Sequence, residues 1–311
     1  MSINKKLLII FLGLLFMGVG VFIGINHSGK YKAQVMAKAE NTPVHNANTQ
    51  LPYTFLNNVI AQSGAACSVY YKSLTTDQLF YNYSGQMPAA SLIKVFILAE
   101  AMDEVNAGNY KLEDEYKIKG SDIVEGSPAL QNKPAGTKIS FGTLLEKMIT
   151  VNDNTATNML IDILGMDTIN EYIQAKGYED TVLSRKMMEV EAQKAGKENY
   201  TSVNDLVNIF ERLYNNKCVS AEYDKKMLQL LKQQKANNKI PALLPKNITI
   251  AHTDGDLPGV QNDCGIVYAK ENYILAIMTD GSIDKGKTLK TINQISSIIY
   301  NSVVDREVFQ K

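Results

Sequence analysis

The chain has 311 residues, 45% of them hydrophobic and 21% charged, which excludes a disordered or collagenous chain and leaves room for one or two buried cores. Basic and acidic residues both number 32, and because residues 1–30 hold three lysines and no acid, residues 31–311 carry 29 basic against 32 acidic side chains. That slightly acidic balance gives a nucleic-acid partner no support.

The first predicted element is apolar and N-terminal. Lys5 and Lys6 precede nineteen residues, 7–25, drawn only from Leu, Ile, Phe, Met, Val and Gly. As a helix they rise roughly 28 Å, close to the hydrocarbon thickness of a bilayer. Residues 1–30 are therefore expected to be a membrane anchor, with a signal cleaved near Ala37-Lys38-Ala39 as the alternative. The very short leading segment favours a single-pass chain with its folded part outside; secretion after cleavage is the other localisation. Residues 31–50 are polar and read as a tether, and residues 51–311 as the folded domain.

Within that domain Phe55, Val59 and Ile60 predict a helix that Gly64 stops. Two strand-like runs follow, 66–71 and 78–83, joined by a polar hairpin stretch. A long helical region is expected from about Ala90 through Lys147, with loops at Gly108, Gly120 and Lys133 to Gly136, and then through Asn158 to Ala175. A further helix starts at Ser202, where Asp205 three residues on suggests a capping box. Strands return at 248–252, 265–268 and 273–278, and Leu289, Ile292, Ile295, Ile298, Ile299 and Val303 mark a last helix. Strands at both ends with helices between predict an antiparallel sheet assembled from the two chain ends, with function in the cleft beside the inserted helices. Cys67, Cys218 and Cys264 lack metal-ligand spacing, so neither a metal nor another cofactor is expected. His252, on a predicted strand, reads as a buried structural histidine.

The chemistry-bearing segment is Pro88-Ala89-Ala90-Ser91-Leu92-Ile93-Lys94. Ser91 and Lys94, three residues apart, share one side of a helix. A serine hydroxyl needs a base to become a nucleophile, and a lysine in a partly dry cleft serves when its pKa falls. The same pair also fits a helix cap with a surface lysine.

Around that pair the sequence resembles the class A serine β-lactamases and penicillin-binding proteins, over about residues 51–305. Three blocks carry the resemblance: 88–97, then 136–160 with Asn152-Asp153-Asn154, then 251–265 with Thr253-Asp254-Gly255. It implies an α/β (α+β) fold, with a sheet of about five strands from both chain ends, flanking terminal helices and an all-helical subdomain at roughly residues 100–245. Ser91 matches the family's nucleophile and Lys94 its basic neighbour. Asn152 stands where a proton-relaying serine is expected, and asparagine passes no proton readily. Asn154, Thr253, Asp254 and Gly255 fall on substrate-binding positions. The backbone N–H groups of Ser91 and Asp256 fall on the oxyanion hole. Asp153 and Arg185 fall on structural positions.

Met187 lies where the deacylating glutamate belongs, with Glu189 and Glu191 as nearby carboxylates, of which Glu189 is carried as a further catalytic candidate. Thr253 and Asp254 replace a Lys-Thr pair, which implies a local field shifted by about two charges toward negative. The resemblance thus implies a serine hydrolase or acyltransferase of the cell envelope, altered toward β-lactams. An inactive binding or scaffold domain with a protein partner there is the competing reading.

Overall fold

The computed structural model describes residues 51–82 and 85–304, so the apolar run 7–25 and the tether lie outside the described residues. In chain order it forms α1 (Tyr53–Ala61), β1 (Ala66–Ser73), β2 (Leu79–Tyr81), β3 (Met87–Pro88), a 3-10 turn (Ala90–Ile93) and α2 (Lys94–Ala107). Next come β4 (Glu115–Lys117), β5 (Lys138–Ser140), α3 (Phe141–Thr150), α4 (Asn154–Leu164), α5 (Met166–Ala175), α6 (Val190–Lys194) and β6 (Tyr200–Thr201). The chain closes with α7 (Val203–Tyr214), α8 (Ala221–Leu231), β7 (Thr249–Leu257), β8 (Val260–Tyr268), β9 (Tyr273–Asp280) and α9 (Lys285–Val304).

Five strands make one antiparallel sheet in the order β2-β1-β9-β8-β7, so both chain ends build it, as the strand pattern predicts. Alternation of side chains sends its two faces into two cores. Val69, Tyr71, Leu275 and Ile277 meet Leu56, Val59 and Ile60 of α1 and Ile292, Ile295 and Ile299 of α9. On the other face Ala251, Cys264, Ile266 and Met278 join the larger core built by α2, α3, α4, α5, α7 and α8. The helices α1 and α9 thus cover one face and the inserted helices the other.

Several expectations change. In α1 the buried stripe is Leu56, Val59 and Ile60, while Phe55 is exposed, because i, i+3, i+4 spacing places Leu56 rather than Phe55 on that face. The break expected at Gly108 is there, a left-handed glycine capping α2, but the segment beyond it holds the short β4–β5 pair instead of a further helix before α3. β2 is only three residues long. Ser202 does cap α7, accepting from Asp205 N at 3.2 Å, but no capping box closes. The Asp205 carboxylate instead accepts from Asp180 N and the Thr181 hydroxyl, and burial raises its pKa to about 6. All three cysteines are unpaired thiols.

Candidate active site

The third sequence block, which resembles a loop in composition, is extended on both sides of one tight turn. β7 runs to Leu257, turns at Pro258 and Gly259, and returns as β8 from Val260. Both strands therefore reach the 3-10 turn that carries Ser91. Ser91 is half-buried there, and Ala90 before it has φ 49. This left-handed conformation is unusual for a residue with a Cβ, and it persists because neighbours fix the chain on both sides. Asn262 on β8 donates its amide to Pro88 O at 2.9 Å and Ala89 O at 3.3 Å, and Ala89 N donates to Asn199 O at 2.8 Å. Gly255 of β7 packs straight onto the turn: a Cβ on it would stand 2.6 Å from Ser91 N and 3.0 Å from the Ala90 Cβ, so only glycine fits.

One turn on, Lys94 is 1% exposed. Its Nζ donates to Asn152 O at 2.9 Å, to Asn154 Oδ1 at 2.9 Å and to Asn152 Oδ1. Asn152 can present both its carbonyls to one ammonium because its backbone is left-handed, φ 58, a conformation asparagine tolerates. Burial pulls the Lys94 pKa down to about 7, against the attraction of Asp153 and Asp254. Three acceptors match the three N–H groups of an ammonium, so the hydrogen bonds and the burial act in opposite senses. Asp153 is fully buried: Oδ1 caps α4 through Ala156 N at 2.9 Å, and Oδ2 accepts from Ala129 N and Leu130 N at 2.9 and 3.0 Å. Asn154 also donates to Glu125 O at 3.2 Å.

The charge expected around Asp254 is corrected by a residue from a different segment. Lys239, 1% exposed on the loop before β7, lies 3.0 Å from Asp254 Oδ2 and 3.2 Å from Asp256 Oδ1. It also donates to Gly255 O at 3.1 Å and Asn262 O at 3.0 Å. Asp256, partly exposed, has Lys285 at 3.8 Å as well. Asp254 is therefore paired with a buried cation, which it shares with Asp256, and that offsets much of the negative charge the motif alone implies. Beside it, buried His252 bonds Asp263 Oδ1 through Nδ1 at 2.9 Å, the structural role expected of it. Burial works against the charged ring, but the charge and hydrogen bond of Asp263, with Asp254 nearby, outweigh it and raise the His252 pKa.

The segment 183–201 lies against α4 and carries the remaining candidates. Arg185 forks onto Glu198 at 2.7 and 2.9 Å, both largely buried. Asn199 ties the loop with bonds from Ser184 N and Arg185 N and to Arg185 O. Met187 is 7% exposed, and its peptide is held on both sides by the Asn158 side chain: Met187 N donates to Oδ1 at 2.8 Å, and Nδ2 donates to Met187 O at 3.0 Å. Glu189 is exposed and accepts from Lys186 N at 3.1 Å; Glu191 pairs with Lys194 on the surface. Ser91, Lys94, Asn152, Asn154 and Gly255 are thus brought together around one turn, while Glu189 and Glu191 spend their carboxylates on their own loop. Lys239, Asn158, Asn199 and Asn262 escaped the sequence reading. No local pattern marks them, since each acquires its role through partners far along the chain. Among the described residues no cluster of His, Cys, Asp and Glu is arranged to hold a metal ion.

A profile of the Beta-lactamase enzyme family matches residues 52–303. Among curated proteins, Beta-lactamase VEB-1 of Pseudomonas aeruginosa is 22% identical over 280 residues, spanning 84% of this chain and 93% of that protein. Among solved structures, PBP-A superposes with a TM-score of 0.76 at 27% identity, covering 84% of this chain and 98% of that one. A β-lactamase from Sphaerobacter thermophilus DSM 20745 gives 0.74 at 25% identity, covering 81% of this chain and 98% of its own.

Proposed function

The chain belongs to the Beta-lactamase enzyme family, and from that premise we propose that it is a serine acyltransferase or hydrolase of the cell envelope, forming an acyl-enzyme on Ser91 that turns over slowly. The observation that carries this reading is Lys94: it is buried one turn from Ser91, and that burial lowers its pKa to about 7, which brings the neutral amine within reach near neutral pH.

In the proposed step the neutral Lys94 amine takes the Ser91 hydroxyl proton as Oγ attacks a strained or activated amide carbonyl. The carbonyl oxygen gathers negative charge against the N–H groups of Ser91 and Asp256. Collapse breaks the C–N bond, and the leaving nitrogen takes from the Lys94 ammonium the proton that came from Ser91. Asn152 contributes no transferable proton to that step, so leaving-group protonation is slower than with a hydroxyl relay. Met187 supplies no base for water, so the ester on Ser91 persists. A mutant of PBP-A is described as an acyl-enzyme complex with penicillin G, which supports acyl-enzyme formation in a relative of this shape. Because Lys239 offsets much of the charge of Asp254, selection of a cationic substrate loses much of its basis, and a neutral acyl donor fits better.

A second reading, a non-catalytic envelope scaffold, is favoured by one observation: all three Lys94 hydrogen bonds go to Asn152 and Asn154 oxygens. Intact-mass analysis separates the two. The domain, exposed to a fluorophosphonate and separately to a fluorescent penicillin, is expected to gain one adduct that Ser91→Ala lacks. A folded domain without any adduct would leave the scaffold reading standing.

Residues 1–30 are proposed as the anchor that keeps the domain outside the membrane, supported by the uncharged run 7–25. The full chain is expected to stay with membranes through an alkaline carbonate wash. Its release as a shortened soluble product would instead show a cleaved signal.

A further inference from the structure

Lys239 sits inside four oxygens: Asp254 Oδ2, Asp256 Oδ1, Gly255 O and Asn262 O, at 3.0, 3.2, 3.1 and 3.0 Å. Three of those oxygens belong to consecutive residues of β7, and the fourth to the β8 residue paired with Gly255. β7 is the outermost strand of its sheet, the position where backbone has fewest partners to hold it. The Gly255–Asp256 peptide is trans and planar, so holding its carbonyl toward Lys239 turns its N–H the opposite way, onto the open edge of β7. The same Gly255 is packed against Ser91 N, leaving no room for a Cβ.

We infer that Lys239 is the positioning residue of the acylation site, a tethered cation whose four-oxygen cage fixes the Gly255–Asp256 peptide so that the Asp256 N–H is aimed for use at Ser91. It touches no substrate. Its work is to keep the outermost strand from drifting when charge develops on a carbonyl beside Ser91. The inference rests on the acyl-enzyme reading for its catalytic consequence but not for its structural one.

Fluorophosphonate labelling of Ser91 tests it, with rate resolved from affinity. Lys239→Met is expected to lower the limiting rate constant roughly 100-fold, the scale for spoiling one oxyanion donor. The half-saturating concentration should stay within about threefold, because uniform binding is untouched. Amide hydrogen exchange at Gly255, on the ladder with Asn262, is expected to quicken in the same variant. Lys239→Gly opens the cage, and added ammonium or methylammonium, but not tetramethylammonium, should restore most of the labelling rate and raise the unfolding temperature. A Lys239→Met protein that labels at the wild-type rate, or a Lys239→Gly protein indifferent to ammonium, would overturn the inference. Should the wild-type domain take no label at all, the acyl-enzyme reading is what fails. The exchange and unfolding measurements then still decide the positioning role, and unchanged values there would refute it.

Discussion

Met187→Glu is expected to shorten the lifetime of the Ser91 adduct at least 100-fold, the scale contributed by a positioned general base. The loop is already built to hold such a group. Asn158 bonds both the N–H and the carbonyl of Met187, and the buried Arg185–Glu198 pair fixes the start of the loop against its end. A side chain added at this position inherits that fixed backbone instead of having to organise it. With 7% exposure the new carboxyl would be partly desolvated, which raises its pKa toward the range useful for taking a proton from water. Burial of the acid should cost stability on the order of 1–3 kcal/mol, read as a lower unfolding midpoint. Decay of the penicilloyl mass after removal of free penicillin is the measurement. An adduct as long-lived as in the unmodified domain, in a variant that folds, would show that Met187 is not where a water-activating base belongs.

The second large effect concerns Lys94 and pH. Its pKa in the fold is about 7 against an ordinary value of 10.5, so between those limits the unfolded chain binds a proton that the folded chain does not. Stability therefore rises with pH across that window, and the cost of keeping the buried amine charged is fully present below pH 7. Lys94→Met removes this group and its slope. Going from pH 7 to pH 9, the wild-type domain should gain about 2 kcal/mol relative to Lys94→Met in denaturant unfolding. The same variant should lose Ser91 labelling at every pH. Parallel stability curves for the two proteins would mean that the Asn152 and Asn154 oxygens hold the ammonium protonated throughout, and Lys94 would then be unavailable as a base near neutrality.

Much of the fold was legible because local pattern and tertiary role agree. The apolar alternation around Val69, Ile266 and Ile277 gives central strands, the Ile292, Ile295 and Ile299 spacing gives α9, and Ser91 with Lys94 gives the turn that both later elements serve. Legibility failed where long-range partners override local composition. Asp254-Gly255-Asp256 and Gln261-Asn262-Asp263 contain residues that avoid strands, yet they form consecutive rungs of the β7–β8 ladder close to its turn. They can do so because Lys239 and His252 answer the carboxylates and because the missing Cβ of Gly255 admits Ser91. Lys239 itself lies in Lys235-Ala236-Asn237-Asn238-Lys239, a stretch that reads as solvated loop. Its burial follows from partners 15, 16 and 23 residues later, beyond any helical or strand repeat. The field expected from Asp254 was wrong for that reason: a charge count along the motif misses the counter-charge that folding brings to it.

The place of β9 in the sheet has a bearing on how this chain comes into being. β9 lies between β1 and β8, and its pairing with β1 joins residues 66–73 to residues 273–280. The centre of the sheet is thus the last strand to be synthesised, and closing it spans about two hundred residues of chain, which makes assembly slow. Until that strand emerges, β1 and β2 have only each other, too small a hairpin to be stable alone, and the faces that α1 and α9 will cover stay open. The sheet of a chain built this way stays unclosed for nearly the whole of its synthesis, and it closes only when residues 273–280 reach residues 66–73.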